Sequence, residues 1–231
     1  MSENREIVLD TETTGMFPEQ GDKIVEIGCL ELMNHIPTGK TYQVYLNPER
    51  DVPAEATAVH GITNEFLKNK PVFSQVYSEF MDFIGDAKLV IHNAEFDMKF
   101  LNAELRHVGH PPLGWGRVVD TVTMARKKYP GQPANLDALC RRFGIDNSER
   151  TYHGALLDSE LLAEVYMELL GGRQHGLLGI GGNKSDVPGN KQKITRPDRA
   201  QREFKASDAE LEDHKKMLEK LVKPLWLKDS A

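Results

Sequence analysis

One stretch decides what this chain can fold into: Ile7-Val8-Leu9-Asp10-Thr11-Glu12-Thr13-Thr14-Gly15. Its opening apolar run, Ile7 to Leu9, reads as a central strand buried on both faces. The run then ends in acid. Asp10 and Glu12 stand two apart, so the period-2 geometry of a strand turns both carboxylates to one face at its carboxyl end. Like charges placed in that way repel and lose solvation unless a cation or a hydrogen-bond network compensates them. The carboxyl end of a strand in an open α/β sheet is also where such folds bind ligands. Two readings stand at this point: a divalent-metal site, or a solvated strand end at which Asp10 and Thr11 begin a turn.

The 231 residues exceed one average domain and fall short of two, which predicts one domain with an appendage. Hydrophobic residues at 39% and charged residues at 28% are those of a globular chain in water. The start, Met1-Ser2-Glu3-Asn4-Arg5-Glu6, is polar, and no run of about 18 apolar residues occurs, so a cytoplasmic protein is expected. Cys29 and Cys140 sit far apart in apolar patterns and read as reduced core thiols. Charge divides the chain: residues 1–172 carry 16 Lys and Arg against 26 Asp and Glu, whereas residues 173–231 carry 13 against 9. So acidic a body is not a basic nucleic-acid-binding surface. A nucleic-acid substrate is still compatible with it, because bound divalent cations would supply positive charge where a phosphate must approach.

Further along, Lys23–Leu32 and Thr41–Leu46 alternate as strands, and with the first they predict an antiparallel meander. Residues 47–62 read as loop, and Phe73, Val76, Tyr77, Phe80 and Ile84 recur at helical spacing up to Gly85. Lys88–Asn93 predicts a short buried strand running into a helix over 94–108. On that helix Asp97 shares a stripe with Leu101, Leu105 and Val108. A carboxylate on a buried stripe needs a partner, or else it satisfies free backbone N–H groups in the first turn. Val118–Thr121 reads as a strand or a helix entry, Asn135 begins a helix ended by Gly144, and Asp120 and Asp137 read as cap or turn acids. The last helix of the body follows Tyr152-His153-Gly154 and stops at Gly171-Gly172, with Asp158 on the face of Leu161, Leu162, Val165 and Leu169. His153, five residues before Asp158, serves the same site only from just before or at the helix start, where a capping histidine is the alternative role.

Four carboxylates predicted to face inward, Asp10, Glu12, Asp97 and Asp158, are hard to explain structurally. All-oxygen ligation suits Mg²⁺ or Mn²⁺, and four acids can hold a pair of such ions for in-line displacement at phosphorus. An imidazole exchanges protons near neutral pH and suits taking one from the attacking water, a role for His153. The implied reaction is phosphodiester hydrolysis.

Asp10-Thr11-Glu12-Thr13-Thr14-Gly15, His92-Asn93-Ala94-Glu95-Phe96-Asp97 and His153-Gly154-Ala155-Leu156-Leu157-Asp158 resemble, in order and spacing, the three motifs of the DEDDh 3′→5′ exonucleases. Within that family the chain is similar to the proofreading epsilon subunits of bacterial DNA polymerase III. The resemblance covers about residues 5–172. It implies an α/β, ribonuclease H-like exonuclease fold, a central mixed β-sheet flanked by helices, followed by a flexible C-terminal tail. The sister branch carries a tyrosine four residues before the last acid; Gly154 stands there, so the histidine branch fits. The resemblance implies Asp10, Glu12, Asp97 and Asp158 as catalytic metal ligands, Asp10, Glu12 and Asp158 also as substrate contacts, and His153 as the catalytic base. It also implies Glu55 near the terminal sugar's 3′-hydroxyl and His60 against the last base, and Met16 and Phe96 suit apolar base contacts. His92 and Asn93 read as scaffolding. Selectivity for a mispaired DNA 3′ end would follow from its easier fraying.

The expected domains are an exonuclease domain over 1–172, a flexible linker over 173–205 and a helical tail over 206–231. Composition alone marks the linker, whose 33 residues would span roughly 30 Å root-mean-square. In it, Gln174-His175-Gly176-Leu177-Leu178 resembles the pentapeptide by which bacterial replication proteins bind the sliding clamp, with Gln174, Leu177 and Leu178 matching. Leu211, His214, Leu218, Leu221 and Leu225 form a helical stripe ending near Trp226. A partner groove is one destination for it, the chain's own body the other. The resemblance names the partner as the catalytic alpha subunit of the polymerase, and it allows a small accessory subunit. Rival readings are an RNA-trimming exoribonuclease of the same fold and a non-catalytic scaffold subunit of the replication machinery.

Overall fold

The computed structural model describes residues 4–148, 152–172 and 206–220. Two compact units divide the chain, Met1–Gly179 and Ile180–Ala231.

In the first unit, strands β1 (Arg5–Thr13), β2 (Ile24–Met33) and β3 (Ile36–Tyr45) form the expected antiparallel meander. The β2–β3 hairpin turns at Asn34 and His35, both at positive φ (52° and 67°), the left-handed pair that two-residue hairpins require. Two short helices follow, α1 (Ala54–His60) and α2 (Asn64–Leu67), then α3 (Phe73–Ile84), β4 (Lys88–Ile91) and α4 (Ala94–His107). The unit closes with β5 (Val118–Asp120), α5 (Thr121–Lys128), α6 (Leu136–Phe143) and α7 (Ala155–Leu170). Strand order is β3-β2-β1-β4-β5, with β4 parallel to both β1 and β5. The sheet is therefore mixed, flanked by helices, and β1 is its centre.

Alternation along β1 sorts the core into two layers. Ile7 and Leu9 join Ile27, Cys29, Leu89 and Ile91 under Phe80 and Ile84 of α3 and Met98, Phe100 and Leu101 of α4. Val8 joins Leu30, Leu32 and Val90 under Leu139 and Cys140 of α6 and Leu162, Val165 and Tyr166 of α7. Both cysteines are free and buried, as expected. By this parity Asp10 and Glu12 fall on the α7 layer and Thr11 on the α4 layer.

Two expectations need correction. Residues 47–62 are not all loop: Ala54–His60 is helical, entered at Pro53 and ended by Gly61 at φ 72°. A helix of seven residues is too short to show an apolar stripe, and its flanking prolines imitate a loop. The third strand begins at Ile36, not Thr41, because the tight hairpin carries pairing through exposed residues that show no alternation.

In the second unit, α8 (Asp208–Glu219) begins in a capping box between Ser207 and Glu210. The pentapeptide with Gln174, Leu177 and Leu178, and the stripe residues Leu221, Leu225 and Trp226, lie outside the described residues. No helix among the described residues is long and apolar enough to cross a membrane.

Candidate active site

The carboxyl end of β1 gathers the predicted acids. Asp158 lies in the first turn of α7 and is 4% exposed; Asp97 lies early in α4 and is 2% exposed. Helix α4 starts abruptly from β4 because Asn93 takes a left-handed conformation, φ 64°. Thr11, on the opposite face of β1 from its neighbouring acids, donates its hydroxyl to Asp97 Oδ1 at 2.7 Å. One strand thus addresses both layers, Asp10 and Glu12 toward α7 and Thr11 toward α4. His153 stands just outside α7, ahead of the cap residue Gly154, as its spacing demanded. Its backbone N–H bonds the Val59 carbonyl of α1 at 3.1 Å, and its Nδ1 is 3.5 Å from Asp158 Oδ2.

These residues line one cavity of about 270 Å³ with Thr11, His92, Asn93, Phe96, Asn135, Leu136 and Asp137. Side-chain atoms of Glu12, His153 and Asp158 lie within 4.8 Å of one another, a spacing at which one cation can be shared. No lysine or arginine lines the cavity among the described residues. Burial, reinforced by the negative charges of Asp97, Glu12, Asp158 and Glu26, drives the Asp10 carboxyl well above its ordinary value. Burial also pushes Asp97 up to about 7, against the opposing hydrogen bond from Thr11. Carboxylates crowded at this cost are matched to a divalent cation, which offsets their repulsion and takes oxygen donors. The residues present fit such an ion.

A second cavity, about 470 Å³, adjoins the first through Thr11, Glu12 and Phe96. Met16, Glu55 and His60 line it together with Phe96, so the four residues expected to contact the terminal sugar and base share one mouth. Met16 is 64% exposed, while His60 is buried at the end of α1. The Ile62 N–H bonds His60 Nδ1 at 3.0 Å, and burial holds the imidazole below its ordinary pKa. His60 is thus fixed at the end of helix α1 rather than in the loop expected over residues 47–62.

Three further residues line the cavity without a signal in the sequence. Asn135 and Leu136 enter the cavity from the start of α6, and Asp137 is not merely a turn acid, since it faces the site while accepting from Asn147 Nδ2 at 3.0 Å. No periodicity marks them. Asp120, by contrast, does cap a helix, accepting from Val122 N at 3.0 Å. His92 Nδ1 meets Thr121 Oγ1 at 2.8 Å and also borders the cavity.

A mixed sheet carrying this acid set defines a nuclease class, and the chain belongs to the Exonuclease family, whose profile matches residues 7–166. Similar relatives are named DNA polymerase III subunit epsilon. That of Rickettsia conorii is 48% identical over 232 residues, covering 98% of this chain and 100% of the relative. That of Escherichia coli is 44% identical over 228 residues, covering 95% and 94%. Within the family, the chain's place is among the DNA polymerase III epsilon subunits. Among solved structures, exonuclease X in complex with 5′-overhanging duplex DNA aligns with TM-score 0.56 and 25% identity, over 71% of this chain and 90% of that one. The nuclease domain of 3′hExo, a DEDDh member bound to rAMP, shares the fold at TM-score 0.63 and 21% identity, over 73% and 92%.

Proposed function

We propose that the chain is the proofreading 3′→5′ exodeoxyribonuclease of a bacterial replicative polymerase, removing mispaired 3′-terminal nucleotides as nucleoside 5′-monophosphates. One observation carries this reading: Asp10, Glu12, Asp97 and Asp158 converge with His153 on one cavity in a chain of the epsilon group. The four acids would hold two divalent cations, Mg²⁺ or Mn²⁺, which when bound supply charge stabilisation at phosphorus and acidify the attacking water. Met16, His60 and Phe96 grip the terminal nucleoside in the adjoining cavity, and Glu55 holds its 3′-hydroxyl. Such contacts place the terminal phosphodiester over the acids and tolerate any base. His153, its side chain 49% exposed at the cavity rim, accepts the proton of the attacking water. The water oxygen bonds phosphorus, the bond from phosphorus to the 3′-oxygen of the preceding nucleotide breaks, and that oxygen is protonated to a new 3′-hydroxyl.

Residues 1–172 form the catalytic domain in this reading. Residues 173–205 serve as a linker offering Gln174, Leu177 and Leu178 to the sliding clamp, and residues 206–231 bind the catalytic alpha subunit in the cytoplasm. A small accessory subunit could be held by the body. Tethering would keep the nuclease at high effective concentration beside the primer end. The decisive test compares single-turnover rates on matched DNA and RNA oligonucleotides carrying paired or mispaired 3′ ends. Mispaired DNA cleaved fastest, with mononucleotide product, supports the proposal; a strong preference for RNA overturns it.

A further inference from the structure

Helix α7 delivers Asp158 and, just ahead of its cap, His153, so the placement of its first turn sets the geometry of the site. Strand β2 holds that turn at three points. Glu26, 1% exposed, pairs directly across the sheet from Glu12, an arrangement that is repulsive unless the charge is taken up elsewhere. Its Oε2 accepts the Ala155 N–H at 3.1 Å, a first-turn donor with no acceptor inside its own helix, and its Oε1 accepts from Gln43 Nε2 at 2.8 Å. Gln43 also donates to the Tyr45 hydroxyl at 3.1 Å. Two residues on, Gly28 sits opposite Asp10, and a Cβ there would stand 2.2 Å from Ala155 C and Leu156 N. Space, not backbone conformation, requires that glycine. Ser159, fully buried, then donates its hydroxyl to the Gly28 carbonyl at 3.0 Å.

We propose that Glu26 is a positioning residue for the hydrolysis, forming with Gly28 a seat on β2 that fixes the first turn of α7, with Ser159 of α7 anchored to that seat. The register makes the logic plain. The residues of β2 that seat α7 are the cross-strand partners of Asp10 and Glu12, so one stretch of sheet sets the separation between the acids of β1 and those of α7. Nothing in the seat touches substrate: among the described residues Glu26 does not line either cavity. The substrate pocket, by contrast, is built on α1 and the loop after β1. Loosening the seat should therefore damage turnover rather than substrate capture. This inference rests on the catalytic reading above.

The test uses the full chain, with steady-state kinetics on a 3′-mispaired oligonucleotide and Mn²⁺ titration by calorimetry. Glu26→Ala should lower kcat by about 10- to 100-fold and weaken Mn²⁺ binding by about 10-fold, the usual scale for an outer residue that orients ligands, with KM changed by less than about threefold. Glu26→Gln keeps an oxygen for the Ala155 N–H and should recover to within about threefold of the parent kcat. Ser159→Ala, which removes only a hydroxyl, should lower kcat by about threefold and serves if Glu26→Ala does not fold. Unchanged kcat in both folded alanine variants would overturn the proposal, and so would Glu26→Gln as impaired as Glu26→Ala. Asp158→Asn in the same assay separates the two levels of the argument. If it retains activity, the catalytic reading fails; if it is inactive while Glu26→Ala is fully active, only the seat fails.

Discussion

The two ends of the central sheet hold buried acids in opposite circumstances. At the start of β1, Glu6 is 1% exposed and meets His35 Nδ1 at 2.6 Å and the Tyr166 hydroxyl at 2.8 Å. On β2, Glu31, the cross-strand partner of Ile7, receives Arg5 Nε at 2.7 Å, the Thr38 hydroxyl at 2.8 Å and Lys40 Nζ at 3.3 Å. Burial alone would raise the Glu31 carboxyl, yet the bonds from Arg5, Thr38 and Lys40 leave it below its ordinary value. Arg5 continues to the carbonyls of Phe83 and Ile84, tying α3 to the sheet. At the far end of the same strand, Asp10 lies among other carboxylates and is driven the opposite way. A buried acid ringed by cationic donors is a fastening; buried acids crowded against one another suit a cation.

The largest effect expected from breaking this contrast is catalytic. Asp10→Asn should lower the exonuclease rate at least about a thousandfold, as loss of an essential group does, while the metal-free protein melts no lower than the parent. Rates and melting curves on the same preparation check it.

Glu31→Ala should do the reverse. Truncating one partner of a buried ion pair leaves the other uncompensated, costing about 2–3 kcal/mol here because Arg5 stays partly in water. Urea unfolding would read that loss, and activity per folded molecule should be unchanged.

A pH series sharpens the contrast further. Asp97, pushed up to about 7, binds more protons folded than unfolded. The unfolding free energy of chelator-treated protein should therefore fall as pH rises from about 4 through about 7. Melting temperature should drop by several degrees over that window, Asp97→Asn should flatten the slope, and divalent cation should restore most stability at the upper end.

The smallest effect belongs to Asp137, which lines the site but is engaged by Asn147. Asp137→Asn should change the rate by less than about threefold in the same assay.

Much of this was legible in the chain. A strand that ends in Asp10-x-Glu12, and helices whose apolar stripes include Asp97 and Asp158, announce inward acids by period alone, and the spacing of His153 puts it just before or at the start of its helix. Illegible were features made by long-range contact. Glu26 reads as an ordinary polar strand residue until α7, 129 residues later, brings Ala155 to it. Gly28 looks like a weak spot in a strand until the same helix is seen to need its missing side chain. Helix α1 hid behind prolines and brevity, and Asp137 behind its place in a helix's first turn, where acids are common for reasons unrelated to catalysis.

The central claim is that the acids gathered at the carboxyl end of β1 crowd one another in order to bind metal. Anomalous diffraction from crystals soaked in Mn²⁺ and a deoxynucleoside monophosphate tests it directly. The account predicts two manganese peaks bounded by Asp10, Glu12, Asp97 and Asp158, with the nucleoside between Met16, His60 and Phe96. Density lacking manganese there, with the carboxylates still converged and the nucleotide bound elsewhere, would contradict it.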